Sequence, residues 1–298
     1  MSDIYHRRRR KVYAILAFLL PALGLYCLFV LYPTANAFYM SLFQWRGVSG
    51  IKKFVGFDNF IELVHDPVFF IALVNNLKIF IAIIIITPAI SLLLAQILST
   101  GTKGTGFFRS VLLFPNMMGS VTIAVLWRLI YAPKFGILNM FLRAVGLGHL
   151  AHSWLGEIST ALPCLIVIML YRSIGFYTIL FLGGILNIPN EVNEAAYLDG
   201  AGAWKTFRYI TLPFLTQNIV VAMVFLIVNS FNHIFIYVQL ITDRGGPGRA
   251  TEVIPSYLYE QAFEYNRFGY GTSVGIFMLI LMFVLSMAII RPLVKKSQ

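Results

Sequence analysis

A chain of 298 residues that is 59% apolar and only 12% charged, with a mean hydropathy of +0.80, is far from a soluble globular domain, where charge makes up about a quarter of the residues. It reads as an integral membrane protein that crosses the bilayer several times. The formal charge of +11 does not make it a nucleic-acid binder, because the cations flank apolar runs. Arg7 to Lys11 crowd the N-terminus and Arg291, Lys295 and Lys296 the C-terminus, as orientation signals do.

In chain order, residues 1–11 form a basic tail, and the first span is predicted over 12–32. Those residues carry no charge and reach about 31 Å as a helix. The run is longer than a signal-peptide core and no small-x-small cleavage site follows it, so a retained helix is expected. Pro33 to Pro67 then reads as a polar-aromatic loop containing Ser41-Leu42-Phe43-Gln44-Trp45 and Phe54-Val55-Gly56-Phe57-Asp58-Asn59-Phe60.

The second span, 69–98, has Asn75, Asn76 and Lys78 near its start and Pro88 as a candidate kink. Lys103-Gly104 lies in a short linker and has the wrong order for a phosphate-binding loop. The third span, 107–131, contains Pro115-Asn116, the mark of a bend buried against protein. Ala132 to Glu157 is a Gly-rich loop with a short amphipathic piece, Ile137 to Val145. His149 and His152 are three apart within it and lack an acidic or thiol neighbour, so they read as loop histidines and no metal site is expected. The fourth span is 160–187, the fifth 214–237 and the sixth 268–290, with residues 291–298 as a second basic tail. Cys27 and Cys164 both lie inside spans and imply no disulfide framework.

Between the fourth and fifth spans, residues 188–213 are too polar to cross a membrane. Pro189 ends the preceding helix, and Asn190 is placed to cap the next, with Glu191 in its first turn. Val192, Ala195 and Ala196 make a small apolar face, and Asp199-Gly200 breaks the helix. Trp204 and Phe207 oppose Lys205 and Arg208 on a second turn before Leu212-Pro213. Counting Lys and Arg, this loop and both termini share the cation-rich side, which is therefore cytoplasmic.

Glu194-Ala195-Ala196, three residues, Gly200, nine residues, then Ile210-Thr211-Leu212-Pro213 is similar to the "EAA" loop of membrane subunits of binding-protein-dependent ABC importers. The polar-aromatic segment 33–67 is more loosely similar to the carbohydrate-uptake branch, the membrane subunits of maltose, glycerol-phosphate and multiple-sugar importers. The resemblance implies an all-α, six-helix, type I permease architecture in a bacterial or archaeal-type inner membrane. It also implies that 188–213 is a coupling loop docked on an ATP-hydrolysing subunit, with Glu194, Ala195, Ala196, Asp199, Gly200, Lys205, Phe207, Leu212 and Pro213 at that contact. The partners implied are a second, related permease subunit, a dimer of ATP-binding subunits that hold ATP and Mg2+, and an external solute-binding protein. The cargo implied is a sugar or oligosaccharide.

The residues themselves exclude several chemistries. There is no Gly-x-x-x-x-Gly-Lys-Ser/Thr, His-Glu-x-x-His or Gly-x-Ser-x-Gly, so neither an ATPase site nor an enzyme is expected in this chain. No Asp or Glu falls within the six predicted spans, which counts against the main alternative, a self-contained secondary transporter of a small polar solute. Polar residues at membrane depth remain as cargo candidates: Asn229 and Asn232 on the fifth span, with Phe235, and Tyr171 and Tyr177 on the fourth. Hydrogen bonds between helices are the competing role for each. Arg172 lies deep in the fourth span and needs a partner that the sequence does not identify.

Overall fold

The computed structural model describes residues 17–47, 50, 52–101 and 104–295. The basic tail 1–11, the start of the first predicted span, Lys103 and Lys296 lie outside the described residues. The chain divides into two compact units, Met1–His65 with Leu258–Phe277, and Asp66–Tyr257 with Met278–Gln298.

The first unit is built on α1 (Ala17–Ser41). Phe18, Leu20, Leu23, Leu25, Leu28 and Phe29 are all exposed along it. A helix that is apolar all round and unburied is at home only in an apolar medium. It runs nine residues past the predicted end at 32 because Cys27–Leu31 form a π turn, with Tyr32 N–H bonded to Cys27 O, just before Pro33. The wider turn accommodates a proline that would clash with a regular α-helix.

The segment after α1 is likewise more ordered than a loop. Strands β1 (Phe43–Gln44) and β2 (Lys53–Phe54) pair antiparallel, Phe43 opposite Phe54. Asn59 of α2 (Asp58–His65) donates to the Ser41 and Phe43 carbonyls at 2.7 and 3.1 Å. Arg267 pairs with both carboxylate oxygens of Glu62 at 2.6–2.7 Å.

The second unit contains most of the helices. Helix α3 (Pro67–Ser99) starts on the Asp66 carboxylate, which accepts from the Val68 and Phe69 N–H groups. Asn75 donates to the Ala250 and Glu252 carbonyls, and Asn76 accepts from Ile254 N–H, so both face protein while Lys78 is exposed. They pin a turn in which buried Glu252 bonds Arg249 and Ser256 ahead of α11 (Ile254–Tyr259).

The third predicted span is not one helix. Helices α4 (Thr105–Met117) and α5 (Ser120–Ile130) meet at 100°, because Met118 and Gly119 are both extended. The bend falls three residues beyond Pro115 and is far sharper than a proline kink. After it come α6 (Ile137–Ala144) and α7 (Ile158–Leu186). Gly175 of α7 is a point of close approach: a Cβ there would lie 1.6 Å from Leu112 O of α4. Small residues permit such crossings.

Helix α10 (Thr216–Ile241) is interrupted only at His233, and the last helix, α12 (Phe268–Lys295), carries on past the predicted end at 290. Ile79, Ile123, Leu165, Ile168, Phe181, Leu226 and Tyr237 form the centre of this unit's core. Cys164 is buried in α7 and Cys27 half-buried in α1, both as free thiols. By length and composition, five described helices can cross a membrane, or six if α4 and α5 count as one broken span.

Candidate functional site

Two places carry polar groups that packing alone does not explain: the stretch 188–213 and a cavity between α7 and α10. The first is anchored at its root. Gly184 lies so close to Leu215 and Asn218 that a Cβ would meet the Leu215 side chain at 2.4 Å, and Ile188, Thr211 and Leu215 are buried.

From that root rises α8 (Asn190–Leu198). Pro189, not Asn190, occupies its capping position, and Val192 N–H bonds to the Pro189 carbonyl. Pro189, with φ −56° and ψ 138°, stands outside the helical region as a cap does, which moves Asn190 one step into the helix. Val192 is half-buried and Ala196 buried, while Ala195 is exposed with Glu194, so the inward face is narrower than predicted. Gly200 has φ +75°, with Ala201 N–H bonded to Ala196 O and Gly200 N–H to Tyr197 O. That pair of bonds is the Schellman stop of a helix.

A second helical piece, α9 (Ala203–Thr206), continues through a π turn (Phe207–Thr211) into Leu212–Phe214. This π turn also precedes a proline, Pro213. Asp199, Lys205 and Pro213 are exposed, Leu212 is half-buried, and Phe207 packs against Trp204 at 5.9 Å. The sequence reading missed the largest feature here: Tyr197, Leu198, Trp204 and Tyr209 are between 73 and 86% exposed. Their signal was bulky apolar residues on both sides of a helix-breaking glycine, in a stretch otherwise too polar to span.

The cavity measures about 310 Å3 and is lined by α3, α7 and α10, with Asn116 from α4. Of the predicted cargo residues, Asn229 and Tyr177 line it, and Asn229 Nδ2 approaches the Tyr177 hydroxyl at 3.5 Å. Asn232, Phe235 and Tyr171 are not among its lining. Asn232 is exposed, and Tyr171 packs edge-on against Trp127 at 5.4 Å.

The residue that shares the cavity with Asn229 is His233, four positions on and more nearly one turn away than Asn232. Arg172 also lines the cavity, and its buried Nε finds no hydrogen-bond partner among the described residues. Among the described residues, no Asp or Glu lines the space. Asn116 was missed as a site residue because its position depends on the sharp bend between α4 and α5. An Asn beside a Pro inside an apolar run was its only sequence trace. Among the described residues no cluster of three His, Cys, Asp or Glu suited to a metal occurs. His152 instead lies 3.4 Å from Glu157.

Long apolar helices around a polar, acid-free cavity, with an amphipathic loop at one end of the bundle, define a multi-pass membrane transport protein. The chain belongs to the family of binding-protein-dependent transport system inner membrane components, whose profile matches residues 12–297. It is a permease subunit of an ABC importer, which sets aside the self-contained secondary transporter.

It is 38% identical to the probable ABC transporter permease YurN of Bacillus subtilis, over 91% of this chain and 92% of that one. It is 34% identical to NgcF, a permease of the diacetylchitobiose uptake system of Streptomyces coelicolor, over 90% and 80%. It is 31% identical to AraP, a permease of the arabinooligosaccharide transport system of Bacillus subtilis, over 96% and 89%. In fold it matches a chain of a bacterial ABC transporter involved in import of the acidic polysaccharide alginate. That match has a TM-score of 0.84 and 22% identity, covering 98% and 99% of the two chains.

Proposed function

We propose that this permease translocates a sugar or oligosaccharide through the cavity between α7 and α10. The observation that carries the reading is the composition of the lining: Asn229, Tyr177, His233 and Arg172 for hydroxyl groups, Phe176 and Phe225 for apolar sugar faces, and no carboxylate. Long, poorly satisfied contacts such as Asn229 to Tyr177, and the unpaired Arg172 Nε, leave hydrogen-bonding capacity for a ligand. The names of NgcF and AraP point to the same cargo class.

An external binding protein delivers the cargo, and a second permease subunit completes the enclosure. ATP and Mg2+ belong to two partner ATPase subunits that dock on residues 188–213. The excess of Lys and Arg on that loop and both termini supports a cytoplasmic position for all three, with the importer in an inner membrane. Alternating access then follows from rocking of helices around a fixed site. Glu194, Asp199 and Lys205 supply charge at the docking contact, exposed Ala195 gives close approach, and Gly200 fixes the turn.

The test is uptake by the assembled importer in proteoliposomes, with radiolabelled mono- and oligosaccharides set against amino acids. ATP-dependent accumulation of a saccharide is expected, and accumulation of amino acids alone would overturn the reading. Asn229→Ala should raise the half-saturating cargo concentration roughly five- to ten-fold, the worth of one hydrogen bond.

A further inference from the structure

A third region, α6 and its surroundings at the opposite end of α7 from residues 188–213, is used by neither the cavity nor the docking loop. Its most buried residue is polar and its most exposed face apolar. The inward face holds Asn139, 2% exposed and with its side chain fully engaged, beside half-buried Leu138 and Leu142. Nδ2 donates to the Pro133 and His152 carbonyls at 3.0 and 2.9 Å, and Oδ1 accepts from Trp154 Nε1 at 2.7 Å. The outward face carries Ile137, Met140, Phe141 and Ala144, spaced i, i+3, i+4 and i+7, and all four are exposed. Phe141 is 61% exposed. In water such a helix would be inside out; against an apolar medium it is right side out.

Two further observations name the medium. Helix α5, just before it in the chain and part of a helix pair apolar enough to cross a membrane, also exposes an apolar stripe, Val121, Val125 and Leu129 at i, i+4 and i+8. A mostly apolar hollow of about 580 Å3 lies along the same surface, with exposed Arg128 in its lining. The charges nearest α6 in the sequence are cations, Arg128, Lys134 and Arg143; the first acid beyond them, Glu157, is engaged by Ser153 N–H and lies 3.4 Å from His152. Among the described residues, Arg128 makes a single long contact, 3.5 Å to the Leu240 carbonyl.

We infer that α6 is an interfacial helix that beds its Ile137–Ala144 stripe among acyl chains and holds anionic phospholipid headgroups with Arg128, Lys134 and Arg143. Phosphate is the group this cation set recognises, and the neighbouring apolar surface selects a lipid phosphate over a soluble one.

The test places a reporter on the stripe of the assembled importer in proteoliposomes. Phe141→Trp fluorescence is read with brominated phosphatidylglycerol and with brominated phosphatidylcholine, against the parent protein and against Phe18→Trp on α1. Met140→Trp serves if the first variant does not assemble. The added emission should be quenched, more by the anionic lipid, and Arg143→Gln should lower the anionic preference by roughly five-fold. An unquenched signal from the Phe141→Trp variant, beside a quenched signal from the α1 control, would overturn the inference and mean that protein covers α6. Equal quenching by both lipids, unchanged by Arg143→Gln, would overturn the headgroup assignment.

Discussion

Helices α6 and α8 are both short, both amphipathic and both follow a bend in the chain, yet they expose opposite kinds of surface. Helix α8 buries Ala196 and shows solvent its acids, Glu191 and Glu194, before ending in two bulky residues, Tyr197 and Leu198, against a glycine stop. Helix α6 buries an amide beside Leu138 and shows an apolar stripe whose nearest charges in the sequence are Lys134 and Arg143. Knobs of apolar surface among mixed charges suit a shaped protein cleft, where each group meets one partner. A smooth stripe among like charges suits a fluid surface that has no fixed shape. Exposed apolar residues on a short helix therefore mean different things, and what surrounds them decides which.

Variants at three positions press on that contrast. The largest effect is expected at Gly200. At φ +75° a side chain is strained although nothing lies within 4 Å of where its Cβ would stand, so the cost is conformational rather than steric. Gly200→Val should leave the protein in the membrane while ATP is hydrolysed without uptake, and Gly200→Asn should retain most of the coupling, as read by the ratio of ATP consumed to cargo moved. Wild-type coupling in the valine variant would show that the turn does not transmit force.

Next is Asn139→Leu, which strands Trp154 Nε1 and two carbonyls for a loss of about 2–4 kcal/mol in local stability. Hydrogen exchange should quicken across Ile137–Ala144, with ATPase association unchanged. The smallest effect is expected for Leu198→Ser, which removes about 1.5–3 kcal/mol of apolar burial on docking. It should weaken ATPase retention on co-purification roughly ten-fold or more, and an unaffected complex would make α8 resemble α6 after all.

Much of this was legible in the sequence because the bilayer imposes length and hydrophobicity on every span. Four runs appear as long helices near their predicted places, and Gly200 terminates α8 as its position between polar and apolar residues required. What was not legible depends on contacts. The first helix passes Pro33 only because a π turn precedes it, and a break at Met118-Gly119 has no local sequence mark as strong as the proline three residues earlier. The cavity was half legible for a similar reason. Asn229 and Tyr177 sit mid-span and reveal themselves as costly polar groups, but the choice between Asn232 and His233 turns on a rotation of some tens of degrees. The exposed face of α6 was visible as a pattern, whereas the polar burial behind it required knowing that Asn139 points inward.

The sharp elbow between α4 and α5 also bears on how the protein is made. The two pieces have 13 and 11 residues, about 20 and 17 Å of helix, and each is short of the roughly 20 residues that a translocation channel releases sideways as a complete span. Taken together they are long and apolar enough to make one span. The elbow is nevertheless packed against a helix made later, with Leu112 of α4 at the backbone of Gly175 in α7, more than fifty residues on in the chain. The final packing of this region is therefore set only after α7 has been synthesised.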